Sequence, residues 1–210
     1  MEKKFELTDK FVFNTFGIKL FQIKCTKSFK YAKEGDLGGY VEKDENLDQE
    51  SDAWVYGDAW VCGNAQVCGD AQVCGNAQVY GNAQVCGDAR VYGNAQVCGD
   101  ARVYGDARVY GNAQVYGDAQ VCGNAQVCGN ADIENDNNHC GFDCFGSCNR
   151  HTHAYLTKDN KVEITCGCFR GSIEEFEKKV EKTHSGTIYE KQYKAIINVI
   201  KIKFGLTDLI

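Results

Sequence analysis

A six-residue unit, V-[CY]-G-[DN]-A-[QR], runs with little variation from Ser51 to Asn130, and no other feature restricts the fold as tightly. Valine recurs every sixth residue from Val55 to Val127, thirteen times, and Ile133 takes the next place. Alanine stands two residues before each of these. Positions two apart on a strand point to the same side, so Ala and Val face one interior while Gln/Arg and Cys/Tyr face outward. Gly followed by Asp or Asn supplies a corner, because those residues tolerate positive φ. One such unit cannot bury its apolar side alone. Three units make a triangular coil of about 18 residues, and stacked coils bury a continuous column of Val and Ala.

Residues 51–134 thereby resemble the hexapeptide-repeat, left-handed parallel β-helix family. One departure is that Gly follows the aliphatic residue one position later than is common in that family. The resemblance implies a mainly β fold, a left-handed parallel β-helix of about four to five coils with every repeat valine inside. Stacking turns the sequence into ladders with steps of roughly 4.8 Å. Asn76, Asn94 and Asn112 share one corner, Asn64, Asn82 and Asp100 a second, and Asp70, Asp88 and Asp106 a third. Asn side chains at such a spacing can hydrogen-bond along the axis. Three carboxylates in a row should repel unless a cation, a raised pKa or outward rotamers relieve them. On one face Arg90 stacks with Arg108 and Tyr92 with Tyr110.

Charge is concentrated on this rod. Residues 51–134 hold eight Asp, one Glu, three Arg and no Lys, which accounts for the whole net charge of −6. That disfavours direct binding of nucleic acid. No apolar run approaches the roughly 20 residues of a membrane span, and "MEKKFELTDK" lacks the apolar core of a secretory signal. A cytoplasmic location is therefore expected, and with it free thiols for the thirteen cysteines. Seven of them share the repeat slot that Tyr fills elsewhere, so that slot asks for moderate size and apolarity rather than sulfur chemistry.

An open β-helix needs covers for the sheet edges at its ends. Residues 1–50 read as an N-terminal β cap, with "FVFNTF" and "IKLFQIKC" forming a hairpin around Gly17 and a Gly-rich turn following. Trp54 and Trp60 are expected to pack under it. Residues 135–210 read as a small ββαα unit. Two strands flank a Lys-Asp-Asn-Lys turn, a helix starts at Ser172 with Glu175 completing a capping box, and a second helix follows Gly186. Ile173, Phe176 and Val180 share one face of the first helix, and Tyr193, Ile196, Ile197 and Ile200 one face of the second. Together "GDLGGYVEKDENL", the repeats and the "GCFRGSIEEFEKKVEKTH" tail resemble a family of hexapeptide-repeat proteins of phages and prophage-bearing bacteria. The resemblance implies origin more than activity.

Many hexapeptide-repeat proteins are coenzyme A-dependent acyltransferases with a catalytic His on a loop extruded from the helix. Here the repeats contain no insertion and no His, and His139, His151, His153 and His184 all lie downstream. Zinc would favour the thiol-imidazole set Cys140, Cys144, Cys148, His151, Cys166 and Cys168. However, Cys-x3-Cys-x3-Cys is not a knuckle, and Cys-x-Cys on a strand does not converge, so buried or half-exposed thiols are the expectation. No nucleophile-base order, phosphate loop or dinucleotide fingerprint is present. The expectation is therefore a non-catalytic binding protein without a cofactor. Its surface is the carboxylate row Asp70, Asp88 and Asp106 or the patch Arg90, Arg108, Tyr92 and Tyr110. Its partner is a host protein of bacterial defence or nucleic-acid handling, reached by mimicry of phosphate charge. An acyltransferase and a self-assembling structural element are the competing readings, and a homo-oligomer is compatible with all three.

Overall fold

Fourteen two-residue strands, β4 (Trp54–Val55) through β17 (Asp132–Ile133), wind into a parallel β-solenoid of about five turns in the computed structural model, which describes residues 3–206. Strands 18 residues apart pair in register, as Arg90 with Arg108 and Gln96 with Gln114, and so build three parallel faces. Every repeat valine, Val91 and Val97 included, is fully buried, and the alanines beside them form the rest of the column. Two or three backbone hydrogen bonds per unit join successive coils. Arg90 N–H donates to Ala107 O at 2.9 Å, Tyr92 N–H to Val109 O at 2.9 Å and Asn94 N–H to Gly111 O at 2.8 Å.

The corner glycine meets two constraints together. Gly93 has φ +74°, and a Cβ there would stand 3.1 Å from Gly111 N. Only a residue without a side chain satisfies both. The Asn ladders form as the spacing requires. Asn76 Nδ2 donates to Asn94 and Asn94 Nδ2 to Asn112, each at 3.2 Å, while Asn64 reaches Asn82 at 3.1 Å and Asn82 reaches Asp100 at 2.9 Å.

At the N-terminal end, β1 (Phe5–Phe13), β2 (Lys19–Cys25) and β3 (Leu37–Val41) form an antiparallel sheet. β3 then pairs in parallel with β5 (Trp60–Val61), so the cap and one solenoid face are a single sheet. Trp54 is buried edge-on between Phe5 and Phe29, with ring centroids 6.3 and 5.3 Å away. Carbonyls at the first coil's open edge receive side-chain donors. Lys4 Nζ bonds Ser51 O at 2.6 Å and Ala53 O at 2.9 Å, and Asn46 Nδ2 bonds Gly63 O at 3.1 Å and Ala65 O at 2.9 Å. Burial lowers the Lys4 ammonium to about 8, the mark of a charge held away from water to satisfy backbone oxygens.

The C-terminal unit has four strands, where the sequence suggested two. β18 (His139–Phe145), β19 (Arg150–Leu156), β20 (Val162–Cys166) and β21 (Phe169–Ser172) pair antiparallel in chain order, followed by α1 (Ile173–His184) and α2 (Ile188–Lys203). The two extra strands escape notice because "HCGFDCF" and "FRGS" are polar or small at alternate positions. Their sheet has two unlike faces. Cys140, Phe142, Ala154, Ile164 and Cys166 pack on the helices with Phe176, Tyr193 and Ile200. The opposite face is polar and lies over the last coil. Ser172 and Glu175 form the expected reciprocal cap of α1. No helix among the described residues is long and apolar enough to cross a membrane.

Replacing Gly93 with Ala should cost about 2 kcal/mol or more, from left-handed strain plus the contact with the next coil. Gln84→Ala on an exposed face should stay within about 0.5 kcal/mol. Urea denaturation of the two variants measures the difference, and equal midpoints would refute the corner analysis.

Candidate functional site

The solenoid brings the two candidate surfaces together. Asp70, Asp88 and Asp106 each stand two residues ahead of an outward position on one face, where Gln72, Arg90 and Arg108 pair in register. The carboxylate corner therefore borders the Arg/Tyr face along its whole length. Tyr92 and Tyr110 stack with parallel rings, centroids 4.9 Å apart. Arg90, Arg108, Asp88 and Asp106 are exposed, the tyrosines half-buried. Among the described residues neither arginine has an ion-pair partner, so both guanidiniums keep their donors available. Burial raises the Tyr92 hydroxyl above its ordinary pKa, and so it does that of Tyr110, so both present O–H groups at neutral pH.

The acidic row is shorter than the sequence implied. Lys30, from the turn between β2 and β3, places Nζ 2.7 Å from Asp70 Oδ2. This cation relieves the start of the ladder, leaving Asp88 and Asp106 as its free carboxylates. Nothing in residues 26–36 announces that contact, because it depends on how the cap folds over the first coils.

The Cys/His set divides between the two faces of the C-terminal sheet. Cys140 and Cys166 face the helices, His151 the polar side, and Cys144, Cys148 and Cys168 are exposed. Cys148, Cys166 and Cys168 line a cavity of about 220 Å³ with Arg150, His184 and Tyr193. Among the described residues, no three His, Cys, Asp or Glu side chains stand at ligating separations.

Sequence reasoning missed the polar face itself. His153 is buried, with Nδ1 3.4 Å from the Gln126 carbonyl and Nε2 3.0 Å from His139 Nδ1. Burial drives His153 down to about 3 and lowers His139 as well, so both rings are neutral at pH 7. Tyr155 Oη lies 3.3 Å from Cys128 Sγ and donates to Glu163 Oε1 at 2.9 Å, and Glu163 in turn holds Arg170. Thr165 Oγ1 donates to Gln126 O at 2.9 Å. His153 and Thr165 thus answer the Gln126 carbonyl at the open edge of the last coil. The signal lay in His151-x-His153-x-Tyr155, whose alternate spacing puts three rings on one side of a strand.

All thirteen cysteines are free thiols. Burial pushes Cys62, Cys68 and Cys140 up to about 11, which removes the thiolate needed for nucleophilic or redox chemistry near neutrality. Alkylation of the native protein at pH 7 should mark Cys122, Cys144, Cys148 and Cys168 first and spare Cys25, Cys62, Cys128 and Cys166. Denaturing, non-reducing alkylation should then label all thirteen by intact mass, and a shortfall by pairs would reveal disulfides.

A family described as the YdcK beta solenoid repeat matches residues 71–85, 83–99, 95–111, 101–117 and 107–123. No curated protein matches the chain by sequence. The matched stretches fall within the central coils, so the likeness bears on the solenoid and leaves both caps aside. The chain is thus similar to YdcK-type solenoids across the segment that carries its Arg/Tyr face.

Proposed function

We propose that the chain is a non-catalytic binding protein of phage type, acting in the host cytoplasm as an inhibitor of a bacterial defence or nucleic-acid-handling protein. The observation that carries this reading is the shared edge between the Asp88/Asp106 corner and the Arg90/Arg108–Tyr92/Tyr110 face. Arg and Tyr are among the residues enriched as interface anchors. The coils beneath fix the backbone at these positions and the stacked tyrosine rings, so docking has little to order besides the two exposed arginine side chains. The carboxylates add long-range steering towards a basic surface such as one that receives phosphates. With Asp70 neutralised, two free carboxylates give orientation, and the Arg/Tyr face supplies most of the affinity.

Capture from bacterial lysate with the tagged protein, followed by mass spectrometry, identifies the partner. Arg108→Ala and Tyr110→Ala should each weaken that partner's binding by about 2 kcal/mol, roughly thirtyfold. Asp88→Asn with Asp106→Asn should slow association and reduce its salt dependence without unfolding the rod, since Asn already occupies equivalent corners. Capture of one partner unchanged by all four substitutions would reject this surface. Calorimetry with acetyl-coenzyme A should give no binding heat, and micromolar binding lost in His139→Ala would assign a transferase instead.

A further inference from the structure

The cavity between the C-terminal sheet and its helices carries a charge opposite to that of the rod. Arg150, at the start of β19, and Lys179, on α1, line it, and no carboxylate does. Neither cation has an ion-pair partner among the described residues. One wall is aromatic. Phe169, Phe176, Tyr193 and His184 follow one another with ring centroids 5.0, 5.6 and 5.5 Å apart. At about 220 Å³ the space suits a compact ligand rather than a nucleotide.

Two donors meet in this cavity without good acceptors of their own. Tyr193 is 5 % exposed, and its hydroxyl has one polar partner among the described residues, Cys166 Sγ at 3.8 Å. A thiol is a weak acceptor. Burial raises the hydroxyl to about 12, so it keeps its proton at neutral pH. The Arg150 guanidinium lies against the turn between β20 and β21, where a Cβ on Gly167 would stand 2.5 Å from Nη1. Cys166 and Gly167 are consecutive, so the phenol O–H and the guanidinium come together around one turn. A nearly buried O–H with so weak an acceptor forgoes most of a hydrogen bond, and a carboxylate held by Arg150 would restore it.

We propose that this cavity binds a small aromatic carboxylate. The planar fork of Arg150 takes the carboxylate, Tyr193 O–H donates to it, and the ligand's ring lies along the aromatic wall. Lys179, exposed on α1, adds a second positive charge. Inorganic phosphate would meet the same cations but leave the aromatic wall uncovered. Cys148 and Cys168, exposed at the same cavity, are shielded when the ligand is in place. The site shares no residue with the Arg/Tyr face of the solenoid, so neither reading depends on the other.

The test titrates full-length, reduced protein with phenylacetate and compares phenylacetamide, acetate and inorganic phosphate. Calorimetry should give one phenylacetate site with a dissociation constant on the order of millimolar or tighter. Removing the charge, removing the ring or offering phosphate should each weaken binding about tenfold or more. Saturating phenylacetate should slow iodoacetamide labelling of Cys148 and Cys168 and leave that of Cys122 and Cys144 unchanged. Arg150→Gln should weaken phenylacetate binding about tenfold, and so should Tyr193→Phe, which keeps the ring and its packing. Lys182→Gln, on α1 but outside the cavity, should bind as the unmodified chain does. Absence of binding and of thiol protection in the folded, unmodified chain at about 10 mM phenylacetate overturns the proposal. So does equal binding of phenylacetamide, acetate or phosphate, or undiminished affinity in both Arg150→Gln and Tyr193→Phe.

Discussion

Stacking of coil on coil is the constraint on which the rest of the structure depends. A six-residue unit has only one alanine and one valine to bury, and neither is covered until a second coil lies on the first. Close approach of the coils then decides the other positions. The inward slots must be small enough to fill a narrow triangular column, and the corner must be glycine, because the next coil's glycine backbone lies about 3 Å from where a Cβ would go. Asparagine follows as the residue that can both turn the corner and bond to its copy in the next coil. Cooperativity is therefore nearly one-dimensional, each coil being stabilised mainly by its two neighbours.

A one-dimensional stack has two ends, and the protein closes them by different means. At the N-terminus a β-meander extends one solenoid face, and Lys4 and Asn46 donate to the carbonyls this extension leaves uncovered. At the C-terminus a separate antiparallel sheet lies across the last coil and answers its backbone with side chains, Thr165 and His153 to Gln126 O and Asp136 to Gln120 N–H. Unpaired edge groups buried without such partners would cost on the order of 1–3 kcal/mol each. The polar content of both caps, otherwise odd in buried positions, follows from that requirement.

This difference explains what was legible in the chain. The solenoid could be read to the residue, because a strict period states which side chains face inward, and the tryptophans under the cap and the capping box at Ser172 follow from equally local rules. β18 and β21 could not, because sequence reading looks for a buried apolar face, and the face these strands turn to the solenoid is polar. His139 lies on β18 and goes unread with it, whereas Tyr155 belongs to a strand that the sequence suggests. The thiol-rich metal set, which its spacing already disfavours, is separated by strand alternation, sending Cys140 and Cys166 one way and His151 the other. The Lys30–Asp70 contact belongs to neither class, since it joins two segments whose proximity only the folded cap creates.

The same period that fixes the interior leaves the outward slots free, and that freedom is where individuality enters. Substituting Arg for Gln or Tyr for Cys in the repeat changes nothing that the stack needs, yet the 18-residue register turns two such substitutions one coil apart into a paired feature. Arg90 with Arg108 and Tyr92 with Tyr110 are such a pair of pairs, set beside a carboxylate corner on a backbone held in register. A flexible loop presenting the same residues would also lose backbone entropy on docking; here folding has already fixed it. Rigidity required by the core thus becomes preorganisation at the surface, and the caps that hold the stack closed are what preserve it.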